Sequence, residues 1–169
     1  MNLIMDFIKY IYIAIFIIVL YTCCYFIFPT NISILQTNLS DFNFDLLLKK
    51  QPLVIEDNVK DILLLLKSWF SSNIINDIYY DDKRSWNINY HKYLYMHCLN
   101  NTEVFLYPSS NKKISNDNID GNETIIGINI KSNQGIIIPY RWYYNIKNKN
   151  DIKLYGIHDY ITYIIDYII

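Results

Sequence analysis

Nineteen consecutive residues, 10–28, carry no charge; Ile, Phe, Tyr and Leu dominate them, Lys9 precedes them and Pro29 follows. As a helix rising about 1.5 Å per residue, this run reaches roughly 28 Å, close to the ~30 Å hydrocarbon thickness of a bilayer. A helix buried in a globular core keeps a polar face, and here only Thr22 and the tyrosine hydroxyls offer one. The run predicts a transmembrane helix. It exceeds the ~7–15 residue core of a cleaved signal peptide and no small-residue cleavage site follows it, so an uncleaved anchor in the lipid bilayer is expected. Tyr10, Tyr12, Tyr21 and Tyr25 fall toward its two ends, where amphipathic rings favour the headgroup layer. Lys9 set against Asp6, with no further cation before Lys49, places the N-terminus in the cytoplasm and the remainder on the lumenal or external side of a single-pass membrane protein. Acceptor triplets for glycosylation begin at Asn31, Asn38, Asn100 and Asn122, which suits a lumenal domain, although a chain with twenty asparagines produces such triplets by chance. Cys23 and Cys24 read as apolar span residues rather than as acylation sites.

The rest of the chain divides simply. Residues 1–9 form an N-terminal tail and 10–28 the span. Residues 29–40, uncharged and rich in Asn, Thr and Ser, suit a stalk, and 41–169 form one domain with no internal repeat. Residues 52–57 read as a short strand. Residues 59–70 read as a helix with apolar positions at Val59, Ile62, Leu63, Leu66 and Phe70, capped by Asp57 or Asn58. Further strands are expected at 93–98, 103–107, 124–130, 135–138, 142–146 and 152–157, separated by Asn, Ser, Lys and Gly clusters. The ten apolar residues 160–169 are too few to cross a bilayer and read as a final helix or strand. The expected fold class is mainly β (α+β), with one early helix.

Composition removes several functions. Fifteen basic and sixteen acidic side chains leave a formal charge of -1, with no basic surplus for phosphate neutralisation, so no nucleic-acid partner is expected. Three cysteines without regular spacing form neither a disulfide framework nor a four-cysteine zinc site. Four glycines supply no phosphate-cradling loop. Seventeen Tyr and twenty Asn beside one Ala and two Arg are the usage of an AT-rich genome, which weakens any motif built from Ile, Asn, Lys or Tyr.

Three segments, taken in order, carry a resemblance. Gln51-Pro-Leu-Val-Ile-Glu-Asp-Asn-Val59 precedes a helix ending in Trp69. The second segment, 93–109, reads Tyr-Leu-Tyr-Met-His-Cys-Leu-Asn-Asn-Thr-Glu-Val-Phe-Leu-Tyr-Pro-Ser. The third, 136–146, reads Ile-Ile-Ile-Pro-Tyr-Arg-Trp-Tyr-Tyr-Asn-Ile. Together they resemble the cupin-like JmjC family of double-stranded β-helix hydroxylases, of the factor-inhibiting-HIF type. The resemblance covers most of residues 51–146 and implies a reduced cupin-like barrel after the transmembrane helix.

In that family an Fe(II) is held by His-x-Asp/Glu and a later His, with open positions for 2-oxoglutarate and oxygen. The resemblance puts the first pair at Asn87 and Asn89, the distal histidine at Tyr144, and the co-substrate lysine at Thr102. Two amides, a phenol and a hydroxyl supply neither the anionic oxygen nor the imidazoles. The expectation is a degenerate member with no metal, no cofactor and no catalytic residue, in which Asn87, Asn89, Thr102 and Tyr144 line a vestigial pocket. His91, His97 and His158, with Asp81, Asp82, Glu103 and Asp159 nearby, contain no His-x-Asp or His-x-Glu. His97 is the best placed of the three to face a barrel interior.

Other constellations are weaker. Ser109 and Ser110 with a distant His158 lack a nucleophile elbow. His97 and Cys98 would face opposite sides of one strand. Arg141-Trp142-Tyr143-Tyr144 and Trp86 offer cationic and aromatic surface, yet strand aromatics more often fill cores. The expected function is a membrane-anchored, catalytically inactive cupin-like protein that binds or scaffolds a protein or small-molecule partner. The alternatives are a hydroxylase with displaced ligands and a structural membrane protein of a virion or organelle.

Overall fold

The computed structural model describes residues 2–27, 29, 32–80, 84–108, 125–148 and 151–168; within the first and last helices, side chains are described only for 8–24 and 160–164. Among these residues the chain is mixed α and β. In order it forms α1 (Asn2–Phe26), β1 (Leu35–Thr37), a 3-10 turn (Leu39–Asp41), α2 (Phe44–Leu48), β2 (Leu53–Ile55) and α3 (Ile62–Trp69). There follow β3 (Ile74–Ile78), β4 (Asn87–Ile88), β5 (Tyr93–Cys98), β6 (Thr102–Pro108), β7 (Ile126–Ile130), β8 (Gly135–Pro139), β9 (Trp142–Ile146), β10 (Ile152–His158) and α4 (Tyr160–Ile168).

The strands make two sheets, a large one in the order β1-β2-β8-β5-β10-β3 and a small one in the order β4-β9-β6-β7. The last eight strands pair in a nested, antiparallel way: β6 with β7, β5 with β8, β4 with β9 and β3 with β10. The domain is thus one long two-stranded ribbon, bent between β6 and β7 and folded over. Its two halves pair again through β5·β10 and β6·β9. The period-2 alternation of strands sends one face of each sheet inward. Val54, Leu94, Met96, Cys98, Ile136, Ile138 and Leu154 of the large sheet meet Val104, Leu106, Ile130, Trp142, Tyr144 and Ile146 of the small one.

A second core covers the outer face of the large sheet. Leu53, Ile55, Tyr95, Ile137, Tyr155 and Ile157 pack there against Leu47, Val59, Ile62, Leu66 and Phe70 from α2, α3 and the loop between β2 and α3. Capping explains why these helices start where they do. The Asn43 side chain accepts from Asp45 N before α2, and the Asp61 side chain accepts from Leu64 N before α3. Phe42 stacks on Trp69 with ring centroids 3.8 Å apart, tying the two helical segments together. Gly135 is required by close approach, since a Cβ there would run into the buried ring and hydroxyl of Tyr95.

Several expectations need correction. The domain is not mainly β with one early helix, because α2 and α4 add to α3: Asn43 caps a turn that sequence periodicity did not show, and the tail 160–168 is helical. Asp61, not Asp57 or Asn58, caps α3; the Asp57 carboxylate instead accepts from Leu39 N. The transmembrane helix is not supported, because among the described residues no helix is long and apolar enough to cross a membrane. Near the end of α1 Tyr21 is half-buried against the domain, hydrogen-bonded to Asp159 and Lys92. With the span go the single-pass description and the assignment of cytoplasmic and lumenal sides. Residues 35–37, within the segment read as a stalk, pair in parallel with β2 as the edge of the large sheet.

Candidate functional site

Three of the four residues expected at the vestigial pocket meet around β4. Asn87 is the direct partner of Tyr144 across β4·β9, and both are buried. Asn89, two residues on, is 1% exposed and fully engaged. Its Nδ2 donates to Ile138 O at 2.8 Å, its Oδ1 accepts from His91 N at 2.8 Å, and its backbone joins Trp142 O and Arg141 N. Asn89 therefore pins the β8–β9 corner to the loop before β5. Thr102 is not with them. Tyr144 pairs with Leu106 on β6, and Thr102 lies four residues further along, about 13 Å at a strand's rise, where its Oγ1 accepts from Asn148 N.

This donor set does not fit a divalent iron. The Asn89 amide is spent on backbone groups, and burial raises the Tyr144 hydroxyl's pKa, with Tyr80 adding to the shift, so the phenolate is suppressed. Tyr144 also packs edge-on to Tyr80 at 6.2 Å and belongs to the inter-sheet core. Apolar side chains fill the interior where the resemblance would put a pocket.

The histidines group differently from expectation. His97 is not interior: residues 94, 96 and 98 face the inter-sheet core, whereas Tyr95 and His97 stack at 6.4 Å on the outer face. The Tyr95 hydroxyl and His97 Nδ1 are buried there without hydrogen-bond partners. Cys98 does face away from His97, and burial pushes its thiol up to about 12, which makes it inert at neutral pH.

His91 and His158 meet, Nδ1 to Nε2 at 2.5 Å, although 67 residues separate them. Gly156 makes this possible, since a Cβ there would approach the His91 ring to 2.8 Å. Burial first, then the neighbouring His158, lowers the His91 pKa to about 4. The next residues in sequence also meet: Lys92 Nζ lies 2.6 Å from the Asp159 carboxylate, and both bond the Tyr21 hydroxyl. Burial opposes ionisation of Asp159, but hydrogen bonds from Lys92, Thr162 N and Tyr21 win and hold its carboxyl at about 2. Asp159 Oδ1 accepts from Thr162 N while Thr162 Oγ1 accepts from Asp159 N, a reciprocal cap on α4. Among the described residues no three of His, Cys, Asp and Glu gather into a group able to hold a metal.

Beside this cluster, between the end of α1 and the domain, lies a cleft of about 200 Å³. Tyr21, Cys24, Ile27, Leu47, Leu48 and Pro139 give it apolar walls, and Lys50, Lys92 and Arg141 are its charged residues. Sequence reasoning did not find it. Arg141 enters the sequence reading as the cation of an aromatic run, of which Trp142 and Tyr144 are core and Tyr143 lies half-buried against Tyr107 at 5.9 Å. Asn38 and Asn100 are exposed. Asp81, Asp82, Ser109, Ser110 and the acceptor asparagines Asn31 and Asn122 lie outside the described residues. No protein-family model and no curated protein matches the chain.

Proposed function

We propose that the chain is a binding or scaffolding module of cupin-like descent, without hydroxylase chemistry. The observation that carries the reading is the Asn87–Tyr144 pair. The positions to which the resemblance assigns metal ligands are opposed across two strands, yet they hold an amide and a phenol sealed into an apolar core. The nested pairing of β3–β10 is consistent with the eight-stranded jelly roll, an architecture that cupins share. Fold alone carries no function, and the donors decide the chemistry. An imidazole and carboxylate set binds Fe(II) through strong donor lone pairs and an anionic oxygen, whereas an amide and a protonated phenol are neutral, weak donors.

The test is titration of the full chain with Fe(II) under anaerobic conditions, with and without 2-oxoglutarate. The expected result is no stoichiometric, chelator-reversible uptake. One iron per chain with oxidative decarboxylation of the oxo-acid would overturn the reading. A second reading, a hydroxylase with displaced ligands, draws on the His91–His158 contact. It predicts that His158→Gln abolishes iron uptake, and under our reading there is no uptake for that substitution to abolish.

A further inference from the structure

We infer that the cleft between the end of α1 and the domain binds an anionic amphiphile: one carboxylate or phosphate head on an apolar chain. The inference rests on the reading of the chain as a binding module and names the ligand chemistry of one surface.

Among the described residues every charged side chain lining the cleft is cationic. Lys92 is neutralised by Asp159, whose carboxylate turns toward Lys92 and Tyr21 and does not line the cleft. Lys50 sends its Nζ to the carbonyls of Cys24 and Ile27, at 2.5 and 2.7 Å. The Arg141 guanidinium has no carboxylate or hydrogen-bond partner among the described residues. A planar five-donor fork at the rim of an apolar cleft suits bidentate capture of a carboxylate or phosphate.

The backbone adds a second observation. Among the described residues three non-glycine residues have positive φ, and two of them, Lys50 at 53° and Arg141 at 62°, are cations of this cleft. Glycine or asparagine would hold those turns at lower conformational cost. The third, Asn133, is such a residue. Strain kept at two positions that converge on one cleft is the pattern of a site rather than of ordinary turns.

The walls select the chain attached to the head. Leu48 is 74% exposed and Ile27 is 64% exposed, apolar surface without cover at the cleft's edge. A cavity of ~150 Å³ lined by apolar side chains holds a benzene ring. At about 200 Å³ the cleft accepts the first several methylenes of a chain, with the remainder lying along α1.

The experiment uses the full chain held in a neutral glycoside detergent, because α1 exposes apolar side chains. Laurate, lysophosphatidate, dodecyltrimethylammonium and inorganic phosphate are titrated by calorimetry. Laurate or lysophosphatidate should bind at one site; the tighter of the two tells whether the source is a free acid or a lipid headgroup. The quaternary ammonium of equal chain length should not compete, and phosphate alone should bind at least a hundredfold more weakly. Arg141→Asn, which keeps a left-handed turn comfortable while removing the charge, should weaken the anionic ligand at least tenfold, and Leu48→Asp should do likewise from the apolar wall. Lys131→Gln, exposed and outside the cleft, should change nothing. Equal affinity for the cationic chain, or full affinity in Arg141→Asn with an unchanged circular-dichroism spectrum, would overturn the inference. Iron uptake is an independent outcome: it would sink the functional reading yet leave amphiphile binding as measured.

Discussion

The two sheets are built from similar residues and yet bury them differently. In the large sheet, β8 is buried at all five positions, Gly135–Pro139, and β10 along its last five; in the small sheet β9 alternates buried and half-buried through Trp142–Ile146. The cause is cover. The large sheet has the inter-sheet core on one face and α2 and α3 on the other, whereas among the described residues the small sheet is covered on one face only. One sheet therefore carries two cores and the other a single one, and the histidines and the cleft's partners cluster at the doubly covered side.

The largest test of that contrast lies in adjacent residues. Ile136 and Ile137 face opposite cores, so Ile136→Ala and Ile137→Ala should each cost about 2–5 kcal/mol by urea unfolding. In the small sheet Leu106→Ala should cost a similar amount, while Asn145→Ala, on the uncovered face, should stay near 0.5 kcal/mol. A small effect at Ile137 would mean that the helical layer is not a core.

Acid should separate the sheets next. All three histidines lie on or beside β5 and β10 of the large sheet. His91 is lowered to about 4 by burial and by His158, and His97 is lowered by burial and Lys153. The folded state thus binds protons less readily than the unfolded chain. The stability this confers is complete above about pH 6.5 and is lost as the pH falls toward 4. Asp159, held at about 2, gives way only below its ordinary carboxylate range, so the window above 4 belongs to the histidines. Lys92 and Asp159, the next residues in sequence, pair with each other, Lys92 raised on balance and Asp159 held at about 2, so neither titrates between pH 4 and 6.5 to reverse the sign. Hydrogen exchange at pH 5 should therefore weaken β5 and β10 before β6, β7 and β9, and His91→Gln should flatten the pH slope.

The smallest effect concerns the tie that holds α1 and α4 to the large sheet. Asp159→Asn keeps an oxygen for the α4 cap but loses the charge pair with Lys92, and should cost under about 1 kcal/mol, as expected for a part-exposed pair. Asp159→Ala removes the cap as well and should cost about 1 kcal/mol more. Equal losses in the two variants would show that the cap contributes nothing.

Much of this was legible in the residues. β5 and β9 fall where alternation or an apolar run placed them, and β8 and β10 within one residue of it. β3 was missed because it is an edge strand whose middle, Asn76 and Asp77, is exposed; two-residue β4 is too short for any period. The uninterrupted Ile136-Ile137-Ile138 run has the pattern of a strand covered on both faces, yet the sequence reading takes from it only a strand, and the covering helix α2 is five residues long and invisible to periodicity. The Asn87–Tyr144 apposition came from a resemblance, not from spacing. The His91–His158 contact and the cleft depend on chain segments brought together from far apart, and no local pattern announces them. The apolar run at 10–28 was read for its length and hydropathy alone, and nothing in it told of the bond from Tyr21 to Asp159.

The nested ribbon has a kinetic consequence. Sequence separation between paired strands is smallest at the β6·β7 bend and grows outward through β5·β8 and β4·β9 to β3·β10. Closing the outer pairs first would enclose the whole ribbon in one loop, so the entropy of closure favours zipping from the bend toward the ends. On that course β3 to β6 find no nested partner until β7 to β10 exist, and the clasp between Tyr21 and Asp159, joining the most distant segments, closes last.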